Sequence, residues 1–196
     1  MTETGIRLTK EVQIIQEAIQ TGSARVSGSG FLVLYDAYFS KVYTYFRYRC
    51  PDPQTCDDLT AQTFEQALTH LDGYDSSRGP FAAWLFGIAR NAANLYFRRR
   101  FRFQWLALDR LINLSGREPL PEEQAIQDDQ QRHLMDAVSR LPDRQRDLLA
   151  LKFSGSLTNR EIAALTGLSE QNVAVILHRS IHSLRQQMSD EGEPHV

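Results

Sequence analysis

RGPFAAWLFGIARNAANLYFRRRFRF, residues 78–103, reads as one long amphipathic helix. Gly79-Pro80 predicts its start, because proline at the first helical position gives up only an N–H that would be unpaired anyway. Phe81, Trp84, Leu85, Ile88, Ala92 and Leu95 then recur at three- and four-residue steps as one apolar face. A second face carries Asn91, Asn94 and Arg98 in line, beside Phe86, Arg90 and Phe97. Four arginines in five residues follow: Arg98, Arg99, Arg100 and Arg102. Two readings fit. The first is a core helix whose terminal arginines complement its dipole and stay solvated. The second is a single-strand nucleic-acid surface, with aromatics for stacking, amides for base edges and arginines for phosphates.

A second stretch, Thr158–Leu184, favours nucleic acid. Thr158 and Glu161 make a capping box, and a short helix with Ile162, Ala163 and Leu165 inward runs to Thr166. Gly167 supplies a tight turn. Ser169 caps a longer helix whose Val173, Leu177, Ile181 and Leu184 face the core. Helix, glycine turn and second helix form a helix-turn-helix, whose second helix lies in the major groove. A bare three-helix packing unit shares the pattern.

Net charge is only −2 over 196 residues, yet it is unevenly spread. Residues 31–105 hold nine basic and seven acidic side chains, +2, and residues 132–188 hold eight and five, +3. The segment 106–131 sums to −4 and the tail 189–196 to −3. Two mildly basic blocks therefore flank an acidic connector, and the charge that meets phosphate is local. This predicts weak DNA binding by the chain alone. No run of eighteen apolar residues indicates a membrane span, and the N-terminus lacks the charged start and apolar run of a signal peptide. A cytoplasmic protein without membrane contact is expected.

Cys50 and Cys56 bracket the turn CPDPQTC with no companion ligands at zinc spacing, so reduced thiols are expected and no metal site. His178 and His182 lie one turn apart without further ligands and read as ordinary helix residues. No Gly-rich phosphate loop and no metal-binding carboxylate cluster occur, so neither a cofactor nor an enzyme activity is indicated.

Elsewhere Leu8, Val12, Ile15 and Ile19 mark a first amphipathic helix closed by Gly22, followed by the linker-like GSARVSGSG. An aromatic-rich helix runs from near Phe31 to Arg49, stopped by Pro51 and Pro53. Asp57 and Asp58 open a third, with Leu59, Phe64, Ala67, Leu68 and Leu71 as its apolar stripe and Asp58, Gln62, Glu65 and Gln66 outward. Residues 104–131 lose periodicity, and GREPLPEEQ is a proline-interrupted acidic linker. A short helix from about Gln131 to Arg140 precedes one started by Pro142, with Leu148, Leu149, Leu151 and Phe153 apolar. No period-two strand pattern appears. The expected fold is all-α: two small helical domains, 1–105 and 131–188, joined by a flexible acidic linker, 106–130, with a polar tail, 189–196.

Taken together, the chain resembles a bacterial RNA polymerase sigma factor of the extracytoplasmic-function (ECF) class. FLVLYDAYFSKVYTY is similar to the opening helix of that family's region two, and DDLTAQTFEQAL to its core-polymerase-binding segment. YDSSRGPFAAWLFGIARNAANLYFRRR resembles the promoter-melting and minus-ten segment. LPDRQRDLLALKFSGSLTNREIAALTGLSEQNVAVILHRSIHSLR resembles region four, which reads the minus-thirty-five element. The resemblance implies a factor that binds core RNA polymerase and directs promoter recognition, DNA melting and transcription initiation. Carried over by position, Asp58, Gln62 and Glu65 face the clamp helices of the polymerase's largest subunit, and region four meets the flap of the second-largest. Tyr74, Asp75 and Arg78 belong to the loop that captures a flipped minus-ten base. Asn91 contacts the non-template strand, with Arg90, Arg98 and Arg99 on phosphates and Trp84 as core beneath. Glu170, Gln171, Asn172, Ala174, Val175, His178 and Arg179 form the minus-thirty-five face. An anti-sigma factor is an implied partner, for which an exposed Val175 and Ile176 offer an apolar contact.

Three positions depart from the family pattern. Leu95, preceded by Asn94, stands where an acidic residue is frequent before the tyrosine of the arginine-rich end. Ala61-Gln62 replaces the usual Gln-Glu before Thr-Phe. Ala174, Val175 and Ile176 stand where Lys or Arg usually follows the recognition helix's valine, leaving apolar contacts suited to thymine methyls. The rival readings are an autonomous helix-turn-helix regulator, which binds paired half-sites alone, a recombinase-like enzyme, and a polymerase-binding protein that directs no promoter.

Overall fold

The computed structural model describes residues 28–50, 52–107 and 127–190. The helix expected over Leu8 to Ile19, most of the acidic connector and the last residues of the tail lie outside them. Among the described residues there are seven α-helices and no strand. They are α1 (Gly28–Arg49), α2 (Pro53–Thr69), α3 (Phe81–Ala107), α4 (Gln127–Ser139), α5 (Asp143–Phe153), α6 (Asn159–Thr166) and α7 (Glu170–Asp190).

In α1, Leu34, Tyr38, Val42, Tyr45 and Phe46 are buried at helical spacing, while Phe31, Tyr35, Tyr43 and Tyr48 are partly buried against that core and Phe39 is exposed. The helix begins at Gly28, inside the stretch read as linker. Helix α2 also begins earlier than expected. Pro53 opens it instead of stopping its predecessor, and the Asp52 carboxylate caps it by accepting from the Thr55 amide at 2.8 Å. A proline there costs no hydrogen bond, and an aspartate cap satisfies an orphan amide. The core-facing Thr60 and Thr63 are satisfied by donating to the Cys56 and Leu59 carbonyls, both at 2.7 Å.

Two short 3-10 turns, Leu71–Gly73 and Ser76–Arg78, lead to α3. Pro80 stands just before the first helical residue, and its carbonyl accepts from the Trp84 amide at 3.2 Å. The helix continues past the expected Phe103 to Ala107. Its buried side is wider than the sequence pattern predicts. Phe86, Ala89 and Ala93 are fully buried alongside Phe81 and Leu85, whereas Phe86 was expected on the nucleic-acid face.

The reason lies in the second half of the chain. Helices α4 to α7 pack on one another, and α5 also packs along α1 while α6 meets α3. Helix α5 buries Asp147, Leu148, Leu149, Ala150 and Leu151 in succession, as a helix covered on every side must. One hydrophobic core therefore runs from Leu34 in α1 through Phe86 in α3 to Leu177 in α7. At the junction Gly155 is required by close approach. A Cβ there would lie 2.7 Å from the Leu151 carbonyl and 3.3 Å from the Phe86 ring.

Helices α6 and α7 follow the expected helix-turn-helix. The capping box of Thr158 and Glu161 is complete. Gly167 takes the left-handed conformation, φ 73°, which costs a residue with a Cβ about 1–2 kcal/mol. The Ser169 hydroxyl accepts from the Asn172 amide at 3.2 Å.

Candidate nucleic-acid interface

On α3, Asn91 and Arg98 are exposed and Asn94 is half-buried, in one row at i, i+3 and i+7. Arg99 and Arg102 extend outward, and Arg100 donates to the Tyr96 hydroxyl at 3.3 Å. The row opens into a groove of about 840 Å³ whose opposite wall includes Arg144 of α5 and Thr166 of α6. Trp84 is partly covered, 5.4 Å from the rings of both Phe81 and Tyr74. It packs against the core from a half-buried position, whereas a core place was expected.

Arg90 is placed differently from expectation. Its Nε donates to Asp147 Oδ2 at 2.8 Å and its Nη1 to the Leu165 carbonyl at 2.9 Å. In this arrangement it serves the second half of the chain and is not presented to a phosphate. Asp147 Oδ1 accepts from the Tyr45 hydroxyl at 2.9 Å and from Arg49, whose guanidinium lies 5.2 Å from the Phe97 ring. Burial pushes the Tyr45 hydroxyl's pKa well up, and the Asp147 charge adds to the effect. For Arg49 burial works against the charge, but Tyr45 and Asp147 outweigh it and hold the guanidinium's pKa above its ordinary value. The sequence reading missed this cluster. Its legible signs were charges bordering apolar runs, Asp147 before LLAL and Arg49 after an aromatic run.

Tyr74 is also corrected. It is 8% exposed, packed edge-on to Phe81, and its hydroxyl donates to the Gly79 carbonyl at 3.0 Å. It props the loop from within, while Asp75 and Arg78 stand exposed. The Asp75 carboxylate accepts from the Ser77 hydroxyl at 2.7 Å and amide at 2.9 Å. These bonds hold its pKa below the ordinary aspartate value.

On α7, Glu170, Gln171, Asn172, Ala174, Val175, His178 and Arg179 are all exposed on one side. Val173, Leu177 and Ser180 are buried on the other. Ile176, expected to be exposed, is half-buried and packs on the core. On α2, Asp58 and Glu65 are exposed, Gln62 is half-buried, and Asp58 accepts from Gln54 at 3.2 Å. Leu68, expected in the core stripe, is 54% exposed beside them.

Cys50 and Cys56 are free, buried thiols. Their side chains interact. Cys50 is pushed up in pKa, first by its hydrogen bond to Cys56 and then by burial. Cys56 is drawn down by the same hydrogen bond, with help from Arg47. Among the described residues no group of three His, Cys, Asp or Glu could hold a metal, and no helix is long and apolar enough to cross a membrane.

Known families divide the chain as its helices do. Residues 34–103 match Sigma-70 region 2, and residues 131–184 match Sigma-70, region 4. The ECF RNA polymerase sigma factor RpoE of Cereibacter sphaeroides is 33% identical over 142 residues, covering 69% of this chain and 71% of that protein. The chain belongs to the ECF sigma factors. BldN of Streptomyces coelicolor, another ECF sigma factor, is 31% identical over 177 residues, which cover 90% of this chain and 65% of BldN. Among solved structures, the sigma factor RpoE of Bartonella quintana, crystallised with the anti-sigma factor NepR, superposes with a TM-score of 0.66. It covers 81% of this chain and 96% of that one at 19% identity, so the shared property is the fold. In the sigma factor described here, α1 to α3 are region two and α5 to α7 fall in region four.

Proposed function

We propose that this sigma factor reads promoters through two separate surfaces after binding core RNA polymerase. Residues 1–105 act as region two, 106–130 as connector and 131–188 as region four, with 189–196 a polar tail. The row Asn91, Asn94 and Arg98 carries the reading. Amides and a guanidinium aligned along an exposed helix suit the edges and phosphates of a melted strand, and stacking contributes on the order of 1–3 kcal/mol per base. Unstacking a flipped nucleotide costs roughly a few kcal/mol. The loop of Asp75 and Arg78, propped by Tyr74, supplies the pocket that repays that cost for the right base. The outward face of α7 reads the duplex upstream, with few ionic contacts. Asp58, Gln62 and Glu65, with exposed Leu68 added, meet the polymerase clamp, and region four meets the flap. The chain works in the cytoplasm, without chemistry or cofactor of its own.

The test is co-purification of the full chain with bacterial core polymerase, then run-off transcription on genomic fragments. Discrete new starts that disappear in Asn91→Ala are the expected result. Binding without starts would favour a polymerase-associated protein that directs no promoter. Tight duplex binding without polymerase would favour an autonomous regulator. An anti-sigma partner is also part of the proposal. Val175, 41% exposed, is its apolar contact, and Val175→Asp should weaken capture of the inhibitor.

A further inference from the structure

We propose that Cys50 and Cys56 form a peroxide-sensing dithiol that closes to an internal disulfide across the turn from α1 to α2. They are the chain's two cysteines, and neither lies on the surfaces assigned to promoter or polymerase. Cys50 ends α1, its amide donating to the Phe46 carbonyl at 2.7 Å. Cys56 lies in the first turn of α2, its amide donating to the Asp52 carbonyl at 3.3 Å. The turn between them, capped by Asp52 and begun by Pro53, brings both side chains into the core, 7% and 0% exposed. There the Cys50 thiol donates a hydrogen bond to the Cys56 sulfur. Two sulfurs in contact across a short turn are placed to bond.

The contact also assigns the two roles. Cys56, accepting that bond near Arg47, is held below the ordinary thiol pKa, although burial, Asp52 and Asp57 oppose the shift. Cys50 is held above it, first by donating the bond and then by burial. The thiolate is the nucleophile, so Cys56 attacks and Cys50 resolves. The Cys56 thiolate takes one oxygen from hydrogen peroxide: an S–O bond forms, the O–O bond breaks, and the departing hydroxide leaves as water with a solvent proton. The Cys50 sulfur then displaces the Cys56 hydroxyl, which takes the Cys50 proton and leaves as a second water. Two thiols are oxidised to one disulfide as one peroxide is reduced to two waters.

Burial selects the oxidant. Hydrogen peroxide, little larger than water, enters as the end of α1 opens locally, whereas oxidised glutathione is too large. With Cys50 in contact, the sulfenic acid closes before a second peroxide raises it to sulfinic acid. In a cytoplasm that keeps thiols reduced, such a bond is transient and reports oxidant. It also has a site to act on. Asp52, the α2 cap, lies inside the loop that the bond closes, and Asp58 of the proposed polymerase face is two positions beyond Cys56. Drawing the sulfurs to about 2 Å tightens the turn from which α2 projects and shifts that face. This consequence rests on α2 as the polymerase-binding helix.

The test treats the full chain with hydrogen peroxide, then measures intact mass and binding to bacterial core polymerase. Wild type should lose the mass of two hydrogens as a monomer and regain it with dithiothreitol. Cys50→Ser should stop at a sulfenic acid on Cys56 that dimedone labels, and Cys56→Ser should leave Cys50 unreacted. The oxidised chain should bind core polymerase several-fold more weakly, with recovery on reduction. The dithiol is overturned if wild type keeps both thiols, gains oxygen without closing, or joins only between chains. The wild-type mass decides this even where Cys56→Ser fails to fold. Equal binding by the oxidised and reduced chains would overturn the sensing role. Should the reduced chain bind no polymerase, the polymerase-binding reading fails, while mass still decides the disulfide.

Discussion

On α3 the row Asn91, Asn94 and Arg98 runs beside a guanidinium, Arg90, already spent on Asp147. On α7 the outward row from Glu170 to Arg179 stands exposed along its length. Its formal charges, one Glu and one Arg, cancel. Region two thus has strong chemistry for nucleic acid but is tied to the arrangement of the whole chain. Region four has an open surface but weak attraction for phosphate. On the reading proposed above, the contrast divides affinity and availability between the two regions, so that neither alone commits the protein to a promoter.

The largest expected effect tests whether the two regions are separate at all. Phe86 lies in region two yet abuts Gly155 of region four, and it is fully buried. Phe86→Ala should cost about 3–5 kcal/mol, seen as a lower urea midpoint in one cooperative transition reported by both halves. Two transitions, with region four unmoved, would break the picture of a shared core.

Next comes the imbalance between readers. Asn91→Ala should lower specific run-off about 5- to 150-fold, the equivalent of a base contact of about 1–3 kcal/mol. Val175→Ala, which removes an apolar contact only, should lower it by less than about threefold. Equal losses would mean that the readers are not divided as described.

Salt sharpens the same contrast with smaller changes. Arg98→Ala should shallow the slope of log affinity against log salt for a single strand by about 0.7, whereas Val175→Ala leaves it unchanged. Ala174→Arg should steepen the slope for duplex by about 0.9. A steep wild-type dependence on duplex would show that region four carries phosphate contacts beyond its recognition row.

The smallest effect concerns the loop of Asp75 and Ser77. Because the folded pKa of Asp75 is depressed, the turn is stabilised above the unfolded value and loses that support as pH falls through the folded one. An NMR titration of the Ser77 amide should therefore have its midpoint below about 3.9. A midpoint at or above that value would remove the Asp75 bonds from the account of the loop.

The all-α class, the order of the helices and the helix-turn-helix were legible in the sequence because local rules govern them. Threonine and glutamate three apart cap α6, Gly167 alone suits its turn, and apolar residues at helical steps line α7. The row of Asn91, Asn94 and Arg98 on α3 followed from the same periodicity, whereas the outward row of α7 was implied by the family resemblance. What periodicity cannot report is which other element covers a helix. Phe86 and Arg90 each lay on or near a face that looked free, and each is claimed by a residue distant in sequence, Gly155 and Asp147, while Tyr74 is claimed by its near neighbours Gly79 and Phe81. The pairing of Tyr45 with Asp147 joins positions 102 residues apart. Hydrophobic burial of α5 against α1 brings the two regions together, and only a folded chain settles which of its charges meet.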